Sequence, residues 1–231
     1  MSHYIDSINL IFIHVPKTGG SFLEKKLQTL AAKKYNEYRR MSSHFTINAY
    51  LNKINDYIVF GVIRNPYDRI MSAYNMFVRS SWRGVINNTY IKLNKPRTFK
   101  QFIQNLYTLF KNNKLPWQNA RSNKELDKIC SSSKNFAVHI IPQYYYFINH
   151  ENQIGIKKEN ILKYESLDSD MRIFINNNYK DNIIVHNYFQ KNIISNIKIK
   201  KTYNIPMIYP KLINMIYEIY KKDFDYFGYD K

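Results

Sequence analysis

The stretch that most constrains this chain is residues 8–22, INLIFIHVPKTGGSF. An unbroken apolar run, Leu10 to Ile13, leads into a polar turn at residues 14–21, and helical spacing follows at once. A run that is apolar at every position has no solvent side. It reads as a strand buried on both faces, as in a parallel sheet. A strand that stops at a Gly-rich turn and restarts as a helix gathers backbone N–H groups at the helix's positive end. Gly19 and Gly20 let the backbone approach an anion, Thr18 and Ser21 add hydroxyls, and Lys17 adds charge, so the turn reads as a phosphate or sulfate cradle. It does not have the Walker order GxxxxGK[ST], because Lys17 precedes the glycine pair. That early position lets the ammonium reach past a cradled anion toward the bond being broken.

The next segments repeat the logic. Phe22, Leu23, Leu27, Leu30 and Ala31 fall at helical spacing and predict a helix to about Lys34. Residues 57–63, YIVFGVI, predict a second buried strand, ending at Arg64. Asn65 suits an N-cap, Pro66 the first helical position and Asp68 the first turn of the helix that follows. At 100° per residue, Tyr67, Met71, Tyr74 and Val78 form an apolar stripe, and Asp68, Ser72, Asn75 and Arg79 a separate polar one. In an open α/β sheet, ligands bind outside the carboxyl ends of the strands, which puts Lys17 and Arg64 at the same sheet edge.

Farther along, residues 80–97 read as a long surface loop. Thr98 and Gln101 have capping-box spacing before a helix with Phe99, Phe102, Ile103, Leu106 and Phe110 on its apolar face. Ser122 and Glu125 mark a short helix within an irregular stretch. Residues 161–165 predict a short strand and residues 167–174 the start of a helix. Residues 176–201 are Asn/Lys/Ile-rich and show no clear period. Leu212, Met215, Ile216, Ile219 and Tyr220 make the last helix amphipathic, and the aromatic residues at 224–229 are expected to dock on the body. No repeat or linker divides the chain, so residues 1–231 are expected to form a single domain.

Composition narrows the function classes. A hydrophobic fraction of 45% excludes global disorder. The formal charge of +18 points to a polyanionic partner: nucleic acid, an anionic glycan, an acidic membrane or a phosphorylated cofactor. The abundance of Lys, Asn, Ile and Tyr would also follow from AT-rich coding. The single cysteine, Cys130, excludes an internal disulfide, and no compact Cys/His cluster suggests zinc. No apolar run approaches the ~18 residues of a membrane span, and MSHYIDSIN does not read as a secretory signal. The sequon Asn87-Asn88-Thr89 is what chance gives in an Asn-rich chain.

HVPKTGGSF followed by VIRNPYDRIMSAY resembles the paired cofactor signature of the sulfotransferases. The nearest likeness is to the carbohydrate type that modifies heparan, dermatan and chondroitin chains. HIIPQYYYF from His139, ILKYESL from Ile161 and the ending IYKKDFDYFGYD are similar to the same family. The resemblance implies an α/β, P-loop-like three-layer fold with a central parallel sheet flanked by helices. It implies 3′-phosphoadenosine 5′-phosphosulfate (PAPS) as sulfuryl donor, with PAP as product, no metal, and a glycan hydroxyl as acceptor. It assigns the 5′-phosphosulfate end to Lys17, Thr18, Gly19, Gly20 and Ser21, and the 3′-phosphate to Arg64 and Ser72.

Transfer of this kind is in-line and depends on positioning and charge stabilisation, with Lys17 on the leaving oxygen. A hydroxyl acceptor needs a base. Because a catalytic histidine of similar sulfotransferases lies between the two motifs, the resemblance favours His44. His139 is the runner-up, and Glu165 and Asp68 stay open as carboxylate bases. The basic stretch Lys198, Lys200, Lys201 and Tyr203 is a further candidate for the nucleotide or acceptor site. Members of this type are usually anchored in the Golgi lumen. With no anchor in view, the expectation here is a soluble intracellular protein. Two other readings stay open: a P-loop kinase-like phosphotransferase, and a non-catalytic basic module binding nucleic acid or anionic glycan.

Overall fold

The computed structural model describes residues 3–35, 44–79, 93, 96–131, 137–199, 203, 205 and 209–231. The chain divides into two compact units, Met1–Arg64 with Tyr146–Lys200, and Asn65–Tyr145 with Lys201–Lys231. Most of the loop expected at residues 80–97, the sequon, and Lys200 and Lys201 lie outside the described residues, as do the side chains of Val78 and Arg79.

The first unit is built on a four-stranded sheet in the order β1 (His3–Ile5), β2 (Leu10–Ile13), β3 (Ile58–Ile63), β4 (Ile161–Lys163). β2, β3 and β4 run parallel, with Leu10 opposite Ile58 and Gly61 opposite Ile161. β1 is antiparallel to β2, so the sheet is mixed, not wholly parallel. Three residues are too few to show a period, which is why this edge strand left no signal in the sequence. Tyr57 donates to Asp6, and Lys53 lies over the rings of Tyr4 and Tyr57, tying that edge down.

Alternate strand residues face opposite ways. On one face Leu10, Phe12, Phe60, Val62 and Leu162 share a core with Leu23, Leu27 and Leu30 of α1 (Gly20–Lys34) and with Met171, Phe174 and Ile175 of α6 (Leu167–Tyr179). The rings of Phe12, Phe60 and Phe174 form a continuous stack, with centroids 4.9 and 4.8 Å apart. Ile11, Ile13, Val59 and Ile63, on the other face, are buried too. This is the two-sided burial that the uniform apolar runs predict, and the fold is α/β and P-loop-like, with helices on a central sheet.

The segment with no clear period proves helical but irregular. Asn182 caps α7 (Ile183–Tyr188), its Oδ1 accepting from the Val185 N–H at 3.1 Å. α7 then passes directly into a π-helical turn, Phe189–Ile193, and a 3-10 turn, Ile194–Asn196. Two changes of pitch within one segment erase any fixed spacing of its apolar residues.

In the second unit, α2 (Pro66–Arg79) starts as expected: Asn65 Oδ1 accepts from the Tyr67 N–H at 2.9 Å. Its polar stripe differs from expectation. Asp68 is buried, and its Oδ1 accepts from the Tyr203 N–H at 2.8 Å. The neighbouring Arg69, also buried, donates to the Ile141 carbonyl at 2.8 Å. α3 (Phe99–Lys111) is capped by Thr98, which accepts from the Gln101 N–H at 3.2 Å. The Gln101 side chain accepts from Arg97 N–H instead of completing the box. Ser122 caps α4 (Asn123–Ser131), and α5 (Ala137–Ile140) is a single turn.

α8 (Ile213–Phe227) takes in most of the expected aromatic tail. Its buried Asp223 accepts from the backbone N–H groups of Gln143 and Tyr144, both at 2.9 Å, and from the Gln143 side chain at 3.3 Å. Tyr220 donates to the Ile140 carbonyl at 2.8 Å. These bonds explain why the blocks starting at His139 and at Ile219 both read as distinctive: each supplies half of one buried clamp. Among the described residues, no helix is long and apolar enough to cross a membrane.

Candidate active site

The chain leaves β2 through residues 14–19 and reverses there. Lys17 (φ 72°) and Gly19 (φ 82°) both take the left-handed conformation. Glycine adopts it freely, whereas at lysine it is strained, and such strain concentrates where a side chain is needed in a fixed place. Gly19 is the N-cap of α1, and no side chain caps the helix. The Phe22 N–H turns back to the Gly19 carbonyl at 3.1 Å, and no side chain caps the N–H groups of Gly20 and Ser21 ahead of it, the arrangement that attracts an anion. Thr18 is fully buried, and its hydroxyl donates to the Val15 carbonyl at 2.8 Å. That bond closes the turn, so what Thr18 can offer an anion there is its backbone N–H; the hydroxyl donor expected from the sequence is in use. Ser21 is exposed and Lys17 half-buried.

Two rings hold this turn from beneath. A Cβ at Gly20 would lie 2.2 Å from the His14 ring, and one at Gly19 would lie 2.6 Å from the Tyr164 ring. Both glycines are needed because the backbone lies directly on aromatic edges. The buried Arg64 guanidinium stacks on the same Tyr164 ring, 4.6 Å from its centroid. Tyr164 thus links the turn after β2 to the end of β3. On the other side, His44 Nδ1 lies 3.0 Å from the His14 carbonyl, and the two imidazoles meet edge to face at 4.7 Å. A carbonyl only accepts, so His44 Nδ1 carries the proton, and in the neutral ring Nε2 holds the lone pair. His14 Nδ1 is 3.6 Å from Glu24 Oε2. Burial raises the Glu24 carboxyl, but the His14 hydrogen bond and nearby positive charge outweigh it and hold the group well below the usual carboxylate range.

Residues 17–21, Arg64 and His44, far apart in sequence, are therefore linked through Tyr164 and His14. Ser72 is half-buried on α2, in the other unit. His139, in that unit as well, meets Phe77 edge to face at 6.1 Å, the packing of a histidine among aromatics.

The model of the sulfotransferase family matches residues 4–230, nearly the whole chain. The chain belongs to the sulfotransferase family. It is an enzyme fold for transferring sulfate, and the match spans both compact units. No curated protein and no solved structure matches the chain.

Beside the turn, the sulfotransferase has an open cavity of about 460 Å³. The cavity is lined by Gly19, Phe22 and Lys26 from the turn and α1, by Tyr164 and Leu167 after β4, and by Asn196, Ile197 and Lys198, of which Asn196 and Lys198 are exposed. Sequence reasoning used Phe22 only as a core residue and gave Lys26 no role. Their spacing of four did hold a signal, since i and i+4 share a helix face. Tyr164 stands in the ILKYESL block that resembles the family, but that block does not show that its ring meets Gly19 and Arg64, and the Glu24–His14 pair left no local signal because its members are on different elements. Lys198 stood out only by charge. Among the described residues, no group of His, Cys, Asp and Glu is placed to hold a metal ion.

Proposed function

We propose that this sulfotransferase moves the sulfuryl group of PAPS to a hydroxyl of a glycan. The observation that carries the reading is the uncapped, glycine-lined start of α1, with Arg64 joined to it through Tyr164 and His44 through His14. The residues fit such a donor. N–H groups and Lys17 suit a phosphosulfate. The adjoining cavity is lined by two aromatic side chains, Phe22 and Tyr164, suited to a nucleobase, and by Lys26 and Lys198, suited to further anionic charge, with the Lys26 ammonium over the Phe22 ring at 5.9 Å.

PAPS supplies an already activated sulfuryl group, so the chain's own residues need to bind, orient and move one proton. Thr18, Gly19, Gly20 and Ser21 hold the 5′ end and Arg64 the 3′-phosphate; Ser72, in the other unit, is given the same phosphate by the resemblance alone. Lys17 places its ammonium against charge that grows on the leaving oxygen, stabilisation that acts in the transition state more than in the ground state. His44 Nε2 takes the acceptor's proton while His14's carbonyl keeps Nδ1–H pointing away. The acceptor hydroxyl would gain its bond to sulfur and lose its proton to His44 as the bond from sulfur to the 5′-phosphate oxygen breaks, with PAP leaving and Lys17 beside the freed oxygen.

The test is transfer of labelled sulfate from PAPS to a panel of glycans. Wild type should label at least one, PAP should protect the protein against heat, and Lys17→Ala and His44→Ala should cut transfer by ~100-fold or more with the fold intact. Failure to bind PAP, or full activity in Lys17→Ala, would overturn the proposal.

A further inference from the structure

Glu24 has no place in the transfer as described, yet it is only partly exposed and faces the buried His14. Gly20 and Glu24 stand four apart on α1 and so share a face. Both meet the same imidazole: Gly20 lies against the Cδ2–Nε2 edge, and the Glu24 carboxylate lies 3.6 Å from Nδ1. On its other side the ring stacks on Phe12 at 5.6 Å, 17° from parallel. His14 is therefore wedged between β2 and the first turn of α1, and it cannot tilt without lifting that turn. The same residue's carbonyl orients His44. One residue thus supports the cradle with its ring and the base with its backbone.

We infer that Glu24 is a positioning residue: by fixing the His14 ring, it sets both the height of the Gly20 turn and the aim of His44. The inference rests on the reading of the turn as donor cradle and of His44 as base. The Glu24 carboxylate faces His14 Nδ1 as an ion-pair contact at 3.6 Å, and its negative charge favours a proton on that nitrogen. That selects one orientation of the ring, with the narrow Cδ2 edge under Gly20. Without an acceptor at position 24 the ring can turn over or tilt, and the two structures that rest on it move together. Glu24 touches no reacting atom in this account. Glu24 also accepts from Gln28 Nε2 at 3.4 Å, and its route to the chemistry is through His14.

The test uses the full chain with Glu24→Leu, which keeps the bulk and removes the acceptor, and Glu24→Gln, which restores one. Imidazole ¹⁵N NMR reads the His44 tautomer, and calorimetry reads the affinity for PAP. The expected result is a single Nδ1–H tautomer of His44 in wild type and mixed tautomers in Glu24→Leu. PAP should bind Glu24→Leu about tenfold more weakly, the lower end of what orienting partners contribute, with recovery of both readouts in Glu24→Gln. Should Glu24→Leu fail to fold, Glu24→Gln set against Glu24→Asp, whose shorter arm draws the acceptor back, gives the same comparison. A His44 tautomer unchanged by loss of the acceptor overturns the inference. A wild type that does not bind PAP overturns the donor reading instead, and the tautomer measurement still decides the role of Glu24.

Discussion

Lys17 and Gly19 share a left-handed backbone, and only one of them is a glycine. For a lysine that conformation costs about 1 kcal/mol. The position carries an ammonium at the point where the chain reverses, and under the proposed function that ammonium is what the strain keeps in place. Lys17→Gly separates the two demands. It should melt at the same temperature as wild type or slightly above, since relief of strain offsets the added freedom of glycine in the unfolded chain. Its transfer activity should fall as far as that of Lys17→Ala. Thermal unfolding and the labelled-sulfate assay check both parts, and a clear drop in melting temperature would contradict the strain argument.

At the scale of elements, the most exacting feature of the second unit is the clamp at Asp223. Burial pushes its carboxyl up, while Arg69 and three donated hydrogen bonds pull the other way. Asp223→Ala would leave the N–H groups of Gln143 and Tyr144 without their acceptor and Arg69 without its compensating charge. A loss of about 3–5 kcal/mol in chemical denaturation is expected, the range for removing one partner of a buried charged network. A loss below ~1 kcal/mol would mean that neighbouring groups re-satisfy the donors. Elements with one strong local signal were legible in the sequence. β2 and β3 are apolar at nearly every position, and Asn65-Pro66 and Thr98 mark helix starts. Asp68 and Arg69 were not legible as buried residues, because a helical wheel assigns polar side chains to solvent and cannot know that Tyr203 and Ile141 supply backbone partners.

For the whole molecule, the formal charge of +18 should act on encounter with an anionic acceptor. Such attraction is screened over about 8 Å at physiological ionic strength. The KM for a polyanionic glycan should therefore rise steeply between low and high salt, while that for a neutral glycan changes little. Equal salt dependence for both would assign the charge to composition alone. The site was legible in the same uneven way as the fold. Residues 17–21 announce themselves because their chemistry is contiguous, and Arg64 because it ends a strand. Tyr164, which joins them, lies in the family-like ILKYESL block, but its role as the link depends on contacts with residues far away in the chain.

The π-helical turn at Phe189–Ile193 carries this point further. A π turn is an α-helix holding one residue more than its pitch accommodates. It lies just upstream of Asn196, Ile197 and Lys198, which line the cavity. Each residue gained or lost in the helical part would swing its end by about 100° around the helix axis, and with it the point from which the extended Ile197, followed by Lys198, leaves. The segment behaves as a vernier: its length, counted in whole residues, sets which side chains overlook the cavity. The exposed positions Lys191 and Ser195 can change far more freely than the number of residues between Tyr188 and Asn196, where Phe189, Ile193 and Ile194 are held in the core.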